Sequence, residues 1–292
     1  MKPSSLKAFA NASTVVILLG LAGVSCSNQK PVPNAPSAAP ASNQGPPAVS
    51  SAPAASSVVL QNGPANAPSA ESIVNAPDRS ADDRALDAGR HPIELLKFLQ
   101  LQPGMKVAEI AAGGGYTTEL LARAVGPSGV VYGQNSKFVL ERFAEKPWSE
   151  RLKKAVMSNV IRVDQDFDDP LPPKASNFDL VINVLFYHDS VWQKTDRAKM
   201  NHAIFEALRP GGAYVIIDHS ARTGAGISEA ETNHRIEESV VRSEVEKAGF
   251  RLAASADFLR SPADTRDWSA SPRVAGERRG TSDRFVLKFV KP

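Results

Sequence analysis

Lys106-Val107-Ala108-Glu109-Ile110-Ala111-Ala112-Gly113-Gly114-Gly115-Tyr116 is the stretch on which the reading of this chain turns. Its apolar first half reads as a buried strand, its three glycines as a tight turn, and Tyr116 to Val125 as a helix stopped by Gly126-Pro127. Glycine lets a backbone turn sharply and approach a ligand with no Cβ in the way. The start of the following helix offers unpaired N–H groups and a positive dipole end to a negative group. In an open parallel sheet, ligands sit beyond the carboxyl ends of the strands, so a nucleotide-type ligand is expected here. A dinucleotide fingerprint fails, because counting from Gly113 its last glycine falls on Thr118. A phosphate-binding loop also fails, because no Gly-Lys-Ser/Thr follows.

Outward from this turn, strand-like runs alternate with helical patterns, the mark of a mostly parallel sheet covered by helices. Residues 78–100 read as a helix in two pieces, divided near Gly89 and Pro92. Further strands are expected at 129–134, 159–163, 178–184, 213–217, 250–258 and 284–290. Helices are expected at 137–156, with a break at Pro147, and at 196–208. Ser228-x-x-Glu231 has the form of a capping box opening a helix to Ala248, with Ile236, Val240, Val241 and Val245 as its buried stripe.

The turn resembles the first motif of class I S-adenosylmethionine-dependent methyltransferases, an acid followed by Gly-x-Gly-x-Gly. Glu109 matches the acid, Gly113 and Gly115 match two of the glycines, and Ala111 replaces the other. The likeness continues in order. Asp166-Phe167 matches the acidic position that meets the adenine ring, Phe178 to Ile182 the fourth-strand motif, and Leu208 to Asp218 the turn into the fifth strand. At the end of the second strand Gln134-Asn135 replaces the usual acid, although an amide can still bond a ribose hydroxyl. Tyr187-His188-Asp189, Asp218-His219-Ser220 and the tail from Arg266 to Phe289 are similar to a group of exported bacterial proteins that carry the label of predicted methyltransferases.

The resemblance implies an α/β, Rossmann-like class I methyltransferase fold: a mostly parallel seven-stranded sheet with an antiparallel last strand and helices on both faces. It implies S-adenosylmethionine as cofactor, held by Glu109, Ala111, Gly113, Gly115, Tyr116, Asn135, Asp166, Phe167 and Asn183. The acceptor is expected to be a small molecule. Methyl transfer from a sulfonium relies on proximity and alignment, and a base is needed where the acceptor must lose a proton. His188, Asp189, Asp218 and His219 follow the fourth and fifth strands, on the rim where the methyl group would lie, and His188 is the expected base. His91, His202 and His234 fall in helical context and read as structural.

No metal site is expected. Read as a calcium loop from Asp164, the acidic run 164–169 places Asp169 and Ala175 where glycine and glutamate are required. Residues 260–284 hold six arginines offset by four acids, and are read as a solvated loop in preference to a lid. The alternative to the enzyme is an exported binding protein that keeps the fold without the transfer reaction.

The chain has 292 residues, with 34 Lys+Arg against 31 Asp+Glu. That balance argues against nucleic-acid binding through bulk charge, and a single cysteine excludes an internal disulfide. Lys2 and Lys7 precede an apolar core at 15–24 that is too short to span a bilayer. Leu21-Ala22-Gly23-Val24-Ser25-Cys26 resembles a bacterial lipoprotein signal, cleaved before a cysteine that is then lipidated. Residues 27–77 contain 10 Pro, 12 Ala and 9 Ser, a composition that cannot offset its ordering entropy. The expected organisation is a signal peptide at 1–25, a lipidated Cys26 with a disordered tether at 26–77, and one domain at 78–292. The protein is expected to be exported, on the periplasmic side, anchored to the outer membrane through Cys26, with no protein partner.

Overall fold

Seven strands form one sheet in the order β3-β2-β1-β4-β5-β7-β6. They are β1 (Lys106–Ile110), β2 (Val130–Asn135), β3 (Val160–Asp164), β4 (Phe178–Val184), β5 (Leu208–His219), β6 (Arg251–Ala256) and β7 (Arg284–Val290). The structure is a computed structural model, and it describes residues 67–292. The expected signal segment, Cys26 and most of the Pro-rich stretch lie outside the described residues. Strands β1 to β5 pair in parallel, and β7 runs antiparallel to both β5 and β6. This is the class I methyltransferase fold, with the reversed last strand that the sequence implies.

Helices α1 (Ala70–Val74), α2 (Ala81–Arg90), α3 (Pro92–Leu99), α4 (Tyr116–Val125), α5 (Lys137–Val139), α6 (Glu145–Arg151), α7 (Asp189–Trp192), α8 (Arg197–Ala207) and α9 (Glu238–Lys247) complete the layers. Because helices cover both faces, the central strands are apolar on both. Ala108 and Ile110 point into a core with Tyr214, Ile216 and Val241, while Val107 points into another with Leu121, Val131 and Trp148. No helix among the described residues is long and apolar enough to cross a membrane.

Three expectations are corrected. The ordered chain starts before residue 78: Ser69 caps α1 by accepting from the Ser72 N–H, and Ile73 and Val74 bury themselves against Leu96, Tyr116 and Leu120. The break placed at Pro147 falls earlier, in a π-helical turn at Leu140–Ala144. Pro147 itself sits three residues beyond, in α6, which runs on from that turn without a gap. The helix expected from residue 228 begins only at Glu238. Gly226 and His234 take left-handed φ of 56° and 51°, and Ile236 gives its N–H to His219 O and its carbonyl to Ala221 N–H. Ile236 is buried, but as an extended residue beside β5, so the helical spacing of the stripe is coincidental there.

Candidate active site

The turn after β1 is left-handed at Ala111, Gly113 and Gly115, with φ of 58°, 56° and 81°. Ala111 bears a Cβ in a conformation that costs an L-residue about 1–2 kcal/mol, and its neighbours hold it there. Gln134 Oε1 accepts from the Ala111 N–H at 3.0 Å, and Gln134 Nε2 donates to Gln165 O at 2.6 Å. Asn135 clamps the next peptide: its Oδ1 accepts from Gly113 N–H at 2.8 Å and its Nδ2 donates to Gly113 O at 3.1 Å. Both amide side chains are fully buried. The Asn135 amide, expected at the ribose, braces the glycine turn in this structure.

The two glycines have different reasons to be glycine. A Cβ at Gly113 would meet nothing within 4 Å, so this peptide faces open space. A Cβ on Gly115 would come within 2.5 Å of the Trp148 ring and 2.8 Å of Arg151 Cδ. Gly115 is thus fixed by packing against α6.

Glu109 and Tyr116 are also drawn inward. Burial raises the Glu109 pKa to about 7, against bonds from the Thr118 and Thr117 side chains, the nearby Arg90 charge and the Thr118 N–H. The Thr118 hydroxyl, in the first turn of α4, donates to Glu109 Oε2. The Tyr116 hydroxyl donates to Asp87 Oδ1 at 2.7 Å, and its ring lies 4.5 Å from the Arg90 guanidinium. Asn183 at the end of β4 is fully buried beside Tyr214, and its amide has no hydrogen-bond partner among the described residues.

Beyond the ends of β2 and β3 opens a cleft of about 440 Å³, lined by Ser136, Phe138, Asp166, Phe167, Asp168 and Trp192 among others. Asp166 is exposed on its wall. Phe167 is buried and stacks on Phe186 at 4.0 Å between ring centroids. Ser136 caps α5 through its hydroxyl, which turns the chain away from the opening.

Trp192 joins this cleft to the rim after β4 and β5, where its indole N–H donates to Asp189 Oδ1 at 2.8 Å. The sequence names His188 as a base with Asp189 beside it, and the structure sets a second carboxylate, Asp218, at the same ring. His188 Nδ1 lies 2.6 Å from Asp218 Oδ1, so Asp218 is the residue that orients the ring. Asp218 is itself fully buried and accepts the His188 and His219 N–H groups at 2.7 Å each. Asp189 Oδ1 lies at the other ring nitrogen, 3.0 Å from Nε2. Burial disfavours the charged ring, yet the Asp218 and Asp189 carboxylates outweigh it and carry the His188 pKa to about 10.

Burial also works against the Asp189 carboxylate, but the His188 charge and the bonds from His188, His234 and Trp192 hold it well below the usual range. His219 goes the other way. Burial and the His188 charge drive it well below the ordinary histidine value, and its Nδ1 pairs with Ser282 Oγ at 2.8 Å.

His234 completes this rim, and sequence reasoning missed it. Its Nδ1 lies 3.2 Å from His188 Nε2 and 3.1 Å from Asp189 Oδ1. Among the described residues, His188, Asp189 and His234 are the one group of three that meets metal-ligand spacing, which runs against the expectation of no metal site. No linear spacing could reveal it, because His234 lies 46 residues from His188.

The Arg-rich segment 260–284 is an ordered strap, which corrects the solvated-loop reading. Asp264 accepts from the Trp268 indole and from the Arg266 and Asp283 N–H groups, and pairs with the fully buried Arg235. Asp283 takes Arg266 at 2.8 Å and the Ser261 N–H. At its far side Gly280 packs on Gly89, where no Cβ would fit, and Arg273 sits 4.7 Å from the Phe143 ring.

A sequence profile of the protein-L-isoaspartate(D-aspartate) O-methyltransferase family matches residues 88–182. The match spans β1 to β4 and stops short of His188. Among solved structures, a SAM-dependent methyltransferase from Aquifex aeolicus is similar at 18% identity, over 73% of this chain and 98% of its own, with a TM-score of 0.50. A protein from Galdieria sulphuraria, to which sarcosine dimethylglycine methyltransferase activity is ascribed, is similar at 16% identity, over 75% of this chain and 89% of its own, with a TM-score of 0.52.

Proposed function

We propose that this chain, a methyltransferase by fold and by the family profile on its cofactor-binding half, uses S-adenosylmethionine to methylate a small-molecule acceptor at the rim formed by His188, Asp189 and His234. The observation that carries the reading is the cleft beyond β2 and β3, whose lining residue Ser136 follows the Asn135 that braces the glycine turn. It is walled by Asp166 and Phe167, and the open Gly113 peptide stands at the carboxyl end of the sheet. Asp166 and Phe167 would hold the adenosine part, and the Gly113 backbone would lie against the rest. When bound, the cofactor supplies an electrophilic methyl group on a sulfonium.

The chain's own contribution is placement. Asp218 fixes the His188 ring, Trp192 fixes Asp189, and the strap behind His234 keeps the rim rigid, so that an acceptor is held at the end of the cleft. The reading is tested by calorimetry of the full chain with S-adenosylmethionine. Saturable binding is expected, weakened at least about tenfold by Asp166→Ala, which removes a carboxylate from the adenosine wall. Absence of binding at about 1 mM cofactor, the upper end of ordinary substrate constants, would sink it.

We also place the domain outside the cytoplasm on a lipid tether at Cys26, toward the outer membrane. Support comes from Lys2 and Lys7, the short apolar run and a cysteine that has no counterpart elsewhere in the chain. Cys26→Ser should abolish fatty-acid labelling and release the protein from the membrane fraction. A wild-type protein that is unlabelled and soluble contradicts the tether.

A further inference from the structure

His188 Nε2, Asp189 Oδ1 and His234 Nδ1 form a nearly equilateral triangle with sides of 3.0, 3.1 and 3.2 Å. As hydrogen bonding alone, the arrangement is poor. Both ring nitrogens and the Trp192 indole N–H, at 2.8 Å, converge on the single oxygen Asp189 Oδ1. A proton on either ring nitrogen has to be shared between that oxygen and the facing nitrogen, so the 3.2 Å approach of the two rings is served at best by a divided bond.

One cation accounts for all three contacts. Ligand atoms about 2.0–2.1 Å from a metal lie about 2.8–3.4 Å from each other, the lower value for octahedral and the higher for tetrahedral geometry. The observed sides fall within this span. We propose that His188, Asp189 and His234 form a binding site for a divalent first-row transition metal ion, with the remaining coordination positions left for water or an acceptor.

The surroundings are those of a built site. The ring nitrogen of His188 that faces away from the triangle is held by Asp218, which is buried and fixed by two backbone N–H groups. A carboxylate behind a ligating histidine sets its ring orientation and makes the facing nitrogen a better ligand. His234 is presented from a left-handed backbone, φ 51°, that a histidine rarely adopts. The next residue, Arg235, is fully buried and tied to Asp264 at 2.8 Å and to Ser220 O at 3.0 Å, so the strap overdetermines the position.

Two imidazoles and one carboxylate select zinc, iron(II) or cobalt(II) over magnesium or calcium, which require oxygen ligands. His234 and Asp189 are each about a quarter exposed, which leaves the triangle accessible from one side. Binding of the ion stands apart from methyl transfer. Only one further step rests on that reading: the open positions would take an oxygen or nitrogen lone pair of the acceptor and so align it with the cleft.

The test uses the full chain, stripped with a chelator and titrated separately with Zn²⁺, followed by heat, and with Co²⁺, followed by visible absorption. One ion per chain is expected, with thermal stabilisation of the stripped protein. His234→Ala and Asp189→Asn should each weaken binding at least about tenfold, while His202→Ala, on α8, should leave it unchanged. The melting curve of each metal-free variant establishes that it is folded. Wild-type protein that binds neither ion saturably overturns the proposal, and so does binding that the folded His234→Ala and Asp189→Asn variants both retain. Calorimetry with S-adenosylmethionine on the stripped protein reads the methyltransferase proposal separately, so the two can fail independently.

Discussion

Around the turn after β1, polar side chains are committed to the backbone: Gln134 to Ala111, Asn135 to Gly113, and Glu109 to the start of α4. Around the rim after β4 and β5, side chains meet one another: His188 meets Asp218, Asp189 and His234 within 3.2 Å. Both regions stand at the carboxyl end of the same parallel strands. The first uses its polar groups to hold a strained backbone shape, so what it offers a ligand is a surface without side chains. The second gathers charge that is only partly matched inside the protein, so what it offers is chemistry. The glycine turn can be recognised in any chain that needs the same shape, whereas the rim is assembled from residues far apart in the sequence.

The larger effect is expected at the rim. Asp218→Asn keeps the shape but replaces a carboxylate oxygen with an N–H₂ group or leaves the amide facing the wrong donors. Asp218 accepts three hydrogens, from the His188 and His219 backbones and from the His188 ring, with its side chain fully enclosed. An uncharged amide cannot satisfy all three, and it leaves the His188 ring with one carboxylate in place of two. Breaking a buried pair of this kind costs about 3–5 kcal/mol, to be read from urea unfolding of the full chain. A change below about 1 kcal/mol would mean that Asp218 is not the ring's anchor, and the contrast between the two regions would lose its firmest point.

The same contrast explains what could be read from sequence. Strand β4 (Phe178–Val184), strand β7 (Arg284–Val290) and helix α4 (Tyr116–Val125) have the bounds that their apolar periods and stop signals indicate. Local signals fix such elements, since every residue that decides them lies within a few positions. Helix α1 was hidden by composition: Ile73 and Val74 sit in Pro- and Ala-rich surroundings, and only the distant Leu96, Tyr116 and Leu120 give them something to bury against. The segment before α9 reads as helix because Ile236 keeps the period, and bonds to the far side of β5 decide otherwise. At the site, His188, Asp189, Asp218 and His219 are visible as residues that follow strands, but which nitrogen meets which carboxylate is not. His234 and Arg235 acquire their meaning only when the strap at Asp264 and Trp268 closes over them.

A smaller effect, with a sign of its own, is expected at the turn. Glu109 is 3% exposed, and burial raises its pKa from 4.5 to about 7. Between those values the folded chain holds a proton that the unfolded chain has released, so stability falls as pH rises. The contribution is fully present below about 4.5 and is lost as pH passes through about 7, for a total of about 3 kcal/mol. The E109Q variant cannot ionise, and its neutral amide still offers an oxygen to the Thr118 hydroxyl and N–H. Measured against wild type by urea unfolding from pH 4.5 to 8, E109Q should be comparable or weaker at the acid end. It should gain on wild type by about 3 kcal/mol at the alkaline end. Parallel curves for the two proteins would show that Glu109 is ionised throughout in the folded chain. A lasting negative charge would then stand at the start of α4, and the turn would offer chemistry of its own as well as shape.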